Sequence, residues 1–515
     1  MKNINKYLIL ASLFLTMGCT GNFDDMNTNP QAFTTLAKSD LTSVFKGAEN
    51  VSLRFVDYQI TQGLYSDLYA QYYATNVTYF GTDRYNYVSG WEQSAWGRIY
   101  NEVVPRLKTI YNNVDANSGE AALANIVWVY AFHHLADYHG SIPYLGAGEG
   151  SAVPYNSTKD IYYDFFDKLT SAVNTLKSLP SGTKIFADGD LCYQGDVSKW
   201  IKFANTLRLR LAMRISNVDP SKAKTEAEAA YAAGVFDSNS DNTSYTTSSS
   251  DWSFYNQLAM CAAWNEFSMS STIYSYLKGW SDPRLAIYYQ PAAKSGKFAS
   301  LRNGTPASDL VNERNKGVSN SNVGTKWVSY TGTTTTPHYD APYDIMCYAE
   351  ALFLRAEGAL NGWSMGGTAK ELYEAGIRAS MQQWGVSNSN IEGYISSTAN
   401  PAAPEDYYNS PAVCSNLPVK WGASESVQRQ QIGTQKWLAL FPNGPEGWAE
   451  FRRTGYPTMY PVVESDNSSL PQGKFIQRIQ YPTDEYSNDK AELEKGIELI
   501  GGSDVESAPL WWAKK

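Results

Sequence analysis

The chain has 515 residues, 43% of them hydrophobic and 18% charged, so it is long enough to bury a large core. Its 42 Lys and Arg against 51 Asp and Glu give a net charge of −9, and without a long basic cluster we expect no nucleic-acid partner. The same balance argues against a protein held on a membrane surface by charge, while 37 Tyr and 15 Trp offer flat faces that stack on sugars or peptides.

The first 18 residues predict a secretory signal. Lys2 and Lys6 precede an apolar stretch at residues 7–17, which is too short to span a bilayer permanently. Gly18 and Cys19 follow, and a Cys after a small residue at this boundary is typical of bacterial lipoproteins. We therefore expect export, lipidation at Cys19, and membrane attachment through the lipid anchor only.

Beyond Cys19, residues 19–38 comprise the lipidated Cys and a polar tether, and residues 39–515 are expected to form one domain. Apolar residues in this part recur mostly at helical spacing, and strand signals are few and short. The helical segments come in pairs: 120–138 with 158–178, 198–216 with 221–233, 343–361 with 368–383, and 427–441 with 445–453. Four such pairs predict a mostly α fold built as a divergent helical-repeat array.

Three segments rich in Ser, Thr, Asn and Gly separate these pairs, namely 237–251, 295–338 and 387–426. Loops of this length are usually functional or disordered. We expect them to be long irregular loops around the helical scaffold.

Sequence patterns for catalysis are weak. Residues 362–366 match a GxSxG nucleophile elbow, but that elbow needs a strand before it, and here a helix precedes it. Gly362 instead ends that helix, and a capping box from Thr368 to Glu371 begins the next one. A glycosidase pair of carboxylates is possible among 51 acidic residues, but no spacing singles one out.

A histidine group near one helix end resembles a metal site. His133, His134 and His139 accompany Asp137, but zinc ligands on a helix favour i, i+4 spacing. Neighbouring His133 and His134 point about 100° apart. Packing and a helix C-terminal cap explain these residues better, and we expect neither a metal nor another cofactor.

Asp237, Asn239 and Asp241 begin like a calcium-binding loop. An EF-hand needs Gly at its sixth position and Glu at its twelfth, where Asn242 and Ser248 stand. An EF-hand is excluded, and a looser Ca²⁺ site is left open.

The remaining cysteines, Cys192, Cys261, Cys347 and Cys414, are far apart and lack metal-ligand spacing. Their even number permits disulfides in an exported protein. The apolar surroundings of Cys347 favour a buried, inert thiol.

Two aromatic stretches are the best candidates for a ligand site. Their rings alternate with planar amides and charged groups, a combination that stacks on sugar faces and binds hydroxyl pairs. For any single ring, packing between helices and loops is the favoured explanation, so the prediction concerns the sets. The candidate ligand contacts are Tyr79, Tyr85, Tyr87, Trp91, Trp96, Trp252, Trp264 and Asn265.

Several blocks resemble the SusD/RagB family of nutrient-binding outer-membrane lipoproteins of Bacteroidetes, in its SusD-like branch. They are FDDMNTNPQ (23–31), AFHHLADYHGSIP (131–143), GDVSKWIKFANTLRLRLAMRI (195–215), SDPRL (281–285), AEALFLRAE (349–357), TQKWLALF (434–441), WAEFRRTGYP (448–457) and GGSDV (501–505). Each block is modest, but their order along the chain is specific. Trp200, Phe203 and Ala204 are expected to point inward, and Arg208, Arg210 and Arg214 to pair with carboxylates of neighbouring helices.

The resemblance implies tetratricopeptide-like helix pairs whose loops build a ligand face. It also implies that the protein lies on the outer membrane and faces the cell exterior. The implied partner is a SusC-like TonB-dependent transporter, on which the lipoprotein sits as a lid. The leading hypothesis is non-catalytic capture of an oligosaccharide, with peptides as the alternative ligand. An exported glycoside hydrolase and a purely protein-binding module are the other hypotheses.

Overall fold

The computed structural model describes residues 36–514 except 54–56, 89, 151 and 332–333. The α-helices are α1 Lys38–Leu53, α2 Ser66–Tyr69, α3 Gln93–Arg98, α4 Val104–Asn113, α5 Gly119–His139, α6 Thr158–Ser178, α7 Val197–Arg214, α8 Pro220–Ala233, α9 Gln257–Trp264, α10 Ser271–Gly279, α11 Leu285–Tyr288, α12 Ala307–Leu310, α13 Tyr348–Leu360, α14 Ala369–Gln383, α15 Asn388–Ile395, α16 Glu425–Leu440, α17 Gly444–Thr454, α18 Thr483–Asn488 and α19 Lys490–Leu499. The strands are β1 Tyr73–Thr75, β2 Ile142–Pro143, β3 Tyr155–Asn156, β4 Thr243–Tyr245, β5 Phe267–Met269, β6 Val328–Thr331, β7 Thr334–Pro337 and β8 Tyr343–Met346. Single π-helical turns lie at Gln59–Gly63 and Ile99–Val103.

The chain divides after Leu41 into two units. In the first unit the described residues are 36–41, which include the start of α1. The second unit, Thr42–Lys515, contains strands β1 to β8 and the sites described below. The predicted signal peptide, Cys19 and most of the tether lie outside the described residues. No helix in the described ranges is both long and apolar enough to cross a bilayer.

The four predicted helix pairs are present. α5 packs on α6, α7 on α8, α13 on α14, and α16 on α17. α7 also lies against α6 and α13, and α13 lies against α16, so the pairs join into one scaffold. The prediction of a mostly α fold with tetratricopeptide-like helix pairs, long irregular loops and few short strands is confirmed.

Local signals explain where these helices begin. The side chain of Ser157 accepts a hydrogen bond from Asp160 N at 3.1 Å and begins α6. The predicted capping box begins α14: Glu371 N donates to Thr368 Oγ1 at 3.2 Å, and Thr368 N donates to Glu371 Oε2 at 2.9 Å. Residues 362–366 form the turn before it, as predicted.

One predicted helix begins later than expected. Residues 343–346 form strand β8, which pairs with β4, and α13 starts only at Tyr348. Ile345 and Met346 are buried, so their apolar character was interpreted correctly, but their backbone groups bond to a strand about a hundred residues earlier. The prediction of helix over 343–346 is therefore wrong.

The predicted loop 387–426 is also not wholly irregular, because it contains the helix α15. The first turn of α15 consists mainly of polar residues, so its helical pattern is weak in the sequence. Its apolar side chains, Ile391, Tyr394 and Ile395, are buried. The segments 237–251 and 295–338 contain short elements only. Each sheet in the described residues has two antiparallel strands: β1 with β5, β2 with β3, β4 with β8, and β6 with β7.

Buried ion pairs tie the scaffold helices together. Arg208 bonds to Glu226, Arg210 to Glu350, and Arg214 to Glu446, so the three arginines pair with carboxylates of neighbouring helices as predicted. Trp200, Phe203 and Ala204 on the same helix are fully buried, also as predicted. A second group joins α16 and α17 to α13: Arg453 bonds to Glu357 and Glu450, and Lys436 to Glu450.

The four cysteines left open by the sequence are free thiols: Cys192, Cys261, Cys347 and Cys414. Burial raises the pKa of Cys347 to about 12. This thiol therefore stays protonated and unreactive at neutral pH, in agreement with its interpretation from the sequence.

Candidate functional site

The pairing of β1 with β5 brings together two aromatic stretches that are far apart in the sequence. The strands run antiparallel, with Thr75 opposite Phe267. The same register continues beyond them, where Asn76 N donates to Glu266 O at 3.1 Å. The residues that follow β1 therefore lie beside the residues that precede β5.

Four rings from these stretches form a surface that we call the aromatic platform: Tyr79, Phe80, Trp91 and Trp264. The Tyr79 and Phe80 ring centroids are 4.7 Å apart, and those of Phe80 and Trp91 are 5.8 Å apart, both edge to face. Trp264 and Phe80 line one small cavity. The side chains of Tyr79 and Trp264 are 62% and 47% exposed, which is unusual for rings of this size.

A carboxylate lies at the edge of the aromatic platform. The Tyr79 hydroxyl donates a hydrogen bond to Glu266 Oε1, and this bond raises the pKa of Tyr79 to about 12. Glu266 is half-buried and lines the same cavity as Trp264. Because its hydroxyl is held, the Tyr79 ring is fixed in orientation although most of its surface is open to solvent. Glu266 had no distinguishing sequence signal and was not among the predicted contacts.

Asn265 lies beside the aromatic platform, where its role is to end a helix. It ends α9 in the left-handed conformation, with φ 57°, which Asn tolerates better than most residues. Its Oδ1 accepts from Asn322 Nδ2 at 3.1 Å. These bonds orient the segment that carries Trp264.

The other predicted ring residues from these stretches lie outside the platform. Tyr85 is buried against Tyr69, with ring centroids 5.9 Å apart. The Tyr87 hydroxyl donates to Glu92 Oε1 at 2.7 Å, which holds that ring at the surface. Trp252 is 77% exposed, but it stands in a short 3₁₀-helix, Trp252–Phe254, whose backbone accepts a bond from α1.

Trp96 forms part of a separate cavity of about 310 Å³. Trp96 and Tyr100 supply its aromatic surface, and Asp484, Glu485 and Asp489 make its other side acidic. The Tyr155 hydroxyl donates to Glu485 Oε2 at 2.7 Å. Burial raises the pKa of Glu485 above its ordinary value, and the neighbouring carboxylates add to this effect.

The predicted metal-like histidines are buried side chains. His133 Nε2 lies 3.0 Å from Glu446 Oε1, and His134 Nε2 lies 3.5 Å from the same oxygen. Arg210 and Arg214 also bond to Glu446 and supply the positive charge that a metal would bring. His139 lies apart from this group and bonds through Nδ1 to a backbone carbonyl at 3.0 Å.

A lysine occupies the calcium-like loop. Lys202 Nζ lies 2.9 Å from Asp237 Oδ2 and 3.0 Å from Asp241 Oδ2. Asp241 also accepts hydrogen bonds from Asp237 N and Ser238 N, which makes it a cap for the 3₁₀-helix Asn239–Asp241. Lys202 neutralises the two carboxylates that a calcium ion would need.

Comparison with known proteins agrees with the resemblance seen in the sequence. Residues 24–513 match the family model described as SusD-like, Susd and RagB outer membrane lipoprotein. A chitin-binding SusD homolog from Flavobacterium johnsoniae is 32% identical, with a TM-score of 0.83 and coverage of 92% of this chain and 99% of that one. A SusD-like protein from Bacteroides thetaiotaomicron is 31% identical, with a TM-score of 0.81 and coverage of 93% and 99%. A comparison with curated sequences gave no match.

Proposed function

Because the chain belongs to the SusD-like family of outer-membrane lipoproteins, we propose that it captures a glycan nutrient at the cell surface and releases it chemically unchanged. SusD-like proteins bind nutrients and are not enzymes, and this chain shares their fold almost from end to end. We propose in particular that it captures an oligosaccharide on the aromatic platform.

The observation that carries the proposal is the exposure of Tyr79 and Trp264 on one surface. An exposed ring exchanges ordered water for a flat apolar sugar face, so it offers binding energy that a buried ring cannot. The hydrogen bond from Tyr79 to Glu266 holds one ring in place before the ligand arrives. Because the ring is already ordered, less conformational entropy is lost when the ligand binds.

We propose a glycan as the ligand, with a peptide as the alternative. A similar protein from Flavobacterium johnsoniae, 32% identical, is described as chitin-binding. The platform residues lie between the sequence blocks that carry the family resemblance, so the resemblance does not identify the particular sugar. Peptides offer aromatic and apolar side chains to the same rings, and a binding screen separates the two.

We further propose that the lipid on Cys19 anchors the chain on the outer face of the outer membrane, above a SusC-like TonB-dependent transporter. The transporter would receive the ligand that the platform has captured. The family description as an outer-membrane lipoprotein supports the anchor.

The test is calorimetry on residues 20–515, which include every described residue, against neutral oligosaccharides and unrelated peptides. We expect an oligosaccharide such as the N-acetylglucosamine hexamer to bind and to be recovered intact when the sample is analysed for products. Trp264→Ala should weaken this binding more than Trp252→Ala, which removes an exposed ring outside the platform. Binding of peptides alone, or equal binding by wild type and Trp264→Ala, would overturn the proposal.

A further inference from the structure

Glu266 supplies a negative charge to a surface otherwise made of rings. One of its oxygens accepts from Tyr79, and within the described part of the chain its other oxygen has neither a hydrogen-bond nor an ion-pair partner. The described residues that line the cavity under Trp264 include no Lys or Arg. A ligand on the aromatic platform therefore meets an uncompensated carboxylate.

Resting on the function proposed above, we propose that Glu266 determines the charge class of the ligand. Neutral sugars and sugars that carry an ammonium group bind, and sugars that carry a carboxylate are rejected. A ligand carboxylate would be brought close to Glu266 in a partly desolvated setting, where like charges repel strongly. The faces of Trp264 and Tyr79 add to this selectivity, since ring faces attract cations and not anions.

Glu266 has two separable effects on the platform. Its charge acts on the ligand, and its Oε1 holds the Tyr79 hydroxyl. Glu266→Gln removes the charge but keeps an oxygen that can accept from Tyr79. Glu266→Ala removes both, so the comparison of the two variants separates charge selectivity from the positioning of the ring.

The chain offers a matched control for net charge. Glu149 is an exposed carboxylate whose partner is Lys108, at 3.1 Å, and it lies on the loop between β2 and β3. Glu149→Gln changes the net charge by the same amount as Glu266→Gln. Any effect of overall charge on ligand binding will appear in both variants. A local effect will appear only in Glu266→Gln.

The experiment measures the affinity of residues 20–515 for three β-1,4-linked hexamers: glucosamine, glucose and mannuronic acid. We expect the uronate to bind the wild type at least about tenfold more weakly than the neutral hexamer at low salt, and glucosamine to bind most tightly. Glu266→Gln should bring the three affinities to within about threefold, while Glu149→Gln keeps the wild-type order. Thermal unfolding of each variant checks that the fold is retained.

Two results would overturn this inference while leaving the proposed function standing. One is a uronate that binds the wild type as tightly as the neutral hexamer. The other is a Glu266→Gln variant that keeps the wild-type ratios. If no hexamer binds the wild type at all, the proposed glycan capture falls as well, so the two failures are distinguishable.

Discussion

Arg210 and Glu350 form a two-pronged ion pair between α7 and α13. Arg210 Nε lies 2.6 Å from Glu350 Oε1, and Arg210 Nη2 lies 2.7 Å from Glu350 Oε2. Both side chains are almost fully buried. This geometry matches the planar fork of arginine to the two carboxylate oxygens, so the pair fixes how one helix pair sits on the next.

Glu350→Gln should destabilise the fold by about 3–5 kcal/mol, because it leaves a buried guanidinium without its main partner. Glu446, 3.3 Å from Arg210, cannot replace that partner fully, since it also neutralises Arg214. Denaturant unfolding measures the loss. The control is Glu392→Gln, which breaks the exposed pair with Arg378 and should cost far less, because solvent screens that pair. Equal losses in both variants would contradict the role given to burial.

The two aromatic surfaces can be separated by mutation. We expect Trp264→Ala to weaken oligosaccharide binding about tenfold, since it removes a stacking face worth roughly 1.4 kcal/mol. Glu485→Gln, in the Trp96 cavity, should leave binding unchanged. Calorimetry measures the affinity of each variant for the oligosaccharide, and product analysis on the same samples shows whether the oligosaccharide is cleaved. If the exported glycoside hydrolase hypothesis were correct, the product analysis would show cleavage of the oligosaccharide.

Buried histidines predict a loss of stability in acid. Burial, together with the positive charge of nearby Arg478, lowers the pKa of His139 to about 3, so the folded chain keeps this ring neutral. The unfolded chain takes up a proton below about pH 6.5, so this group contributes stability that is lost as pH falls from 6.5 towards 3.

His139→Phe is the matching variant, because a phenyl ring can keep the contacts with Trp96 and Tyr481. Below about pH 6 its stability should fall less steeply than that of wild type, by up to about 1.4 kcal/mol per pH unit. The measurement is denaturant unfolding at several pH values between 4 and 7. Parallel curves for the two proteins would show that His139 does not contribute.

Cys19→Ala tests the predicted anchor. Without a lipid acceptor the exported chain should leave the membrane fraction and appear in the soluble fraction of the envelope, because no other attachment is expected. Cell fractionation with detection of the chain measures this, and Cys192→Ala is the control that keeps the anchor. A Cys19→Ala chain that stayed with the membrane would refute lipidation as the means of attachment.

The helix pairs were predictable because their signal is local. α6 is found over the predicted range, 158–178, since apolar residues repeat at helical spacing and Ser157 marks its start. The pairing of Arg208, Arg210 and Arg214 was also predictable, because arginines on a buried helix require carboxylate partners. These inferences needed only neighbouring residues and elementary energetics.

The remainder depends on contacts between distant parts of the chain. Residues 343–346 read as helix, and only pairing with residues 243–245 shows them to be a strand. In the same way, Trp264 and Tyr79 were predicted as members of two separate stretches, and Glu266 was one acidic residue among many. The pairing of β1 with β5 brings these three residues together, and no local sequence pattern predicts that pairing.

That pairing also sets the order in which the protein can become active. The hydrogen bond between Tyr79 and Glu266 spans 187 residues of sequence, and closing so long a loop is slower than forming the adjacent helices. With export as proposed, a chain that is still emerging from the export machinery has its first ring stretch but lacks the second. The proposed ligand capture is therefore acquired late in folding, after more than half of the chain has emerged.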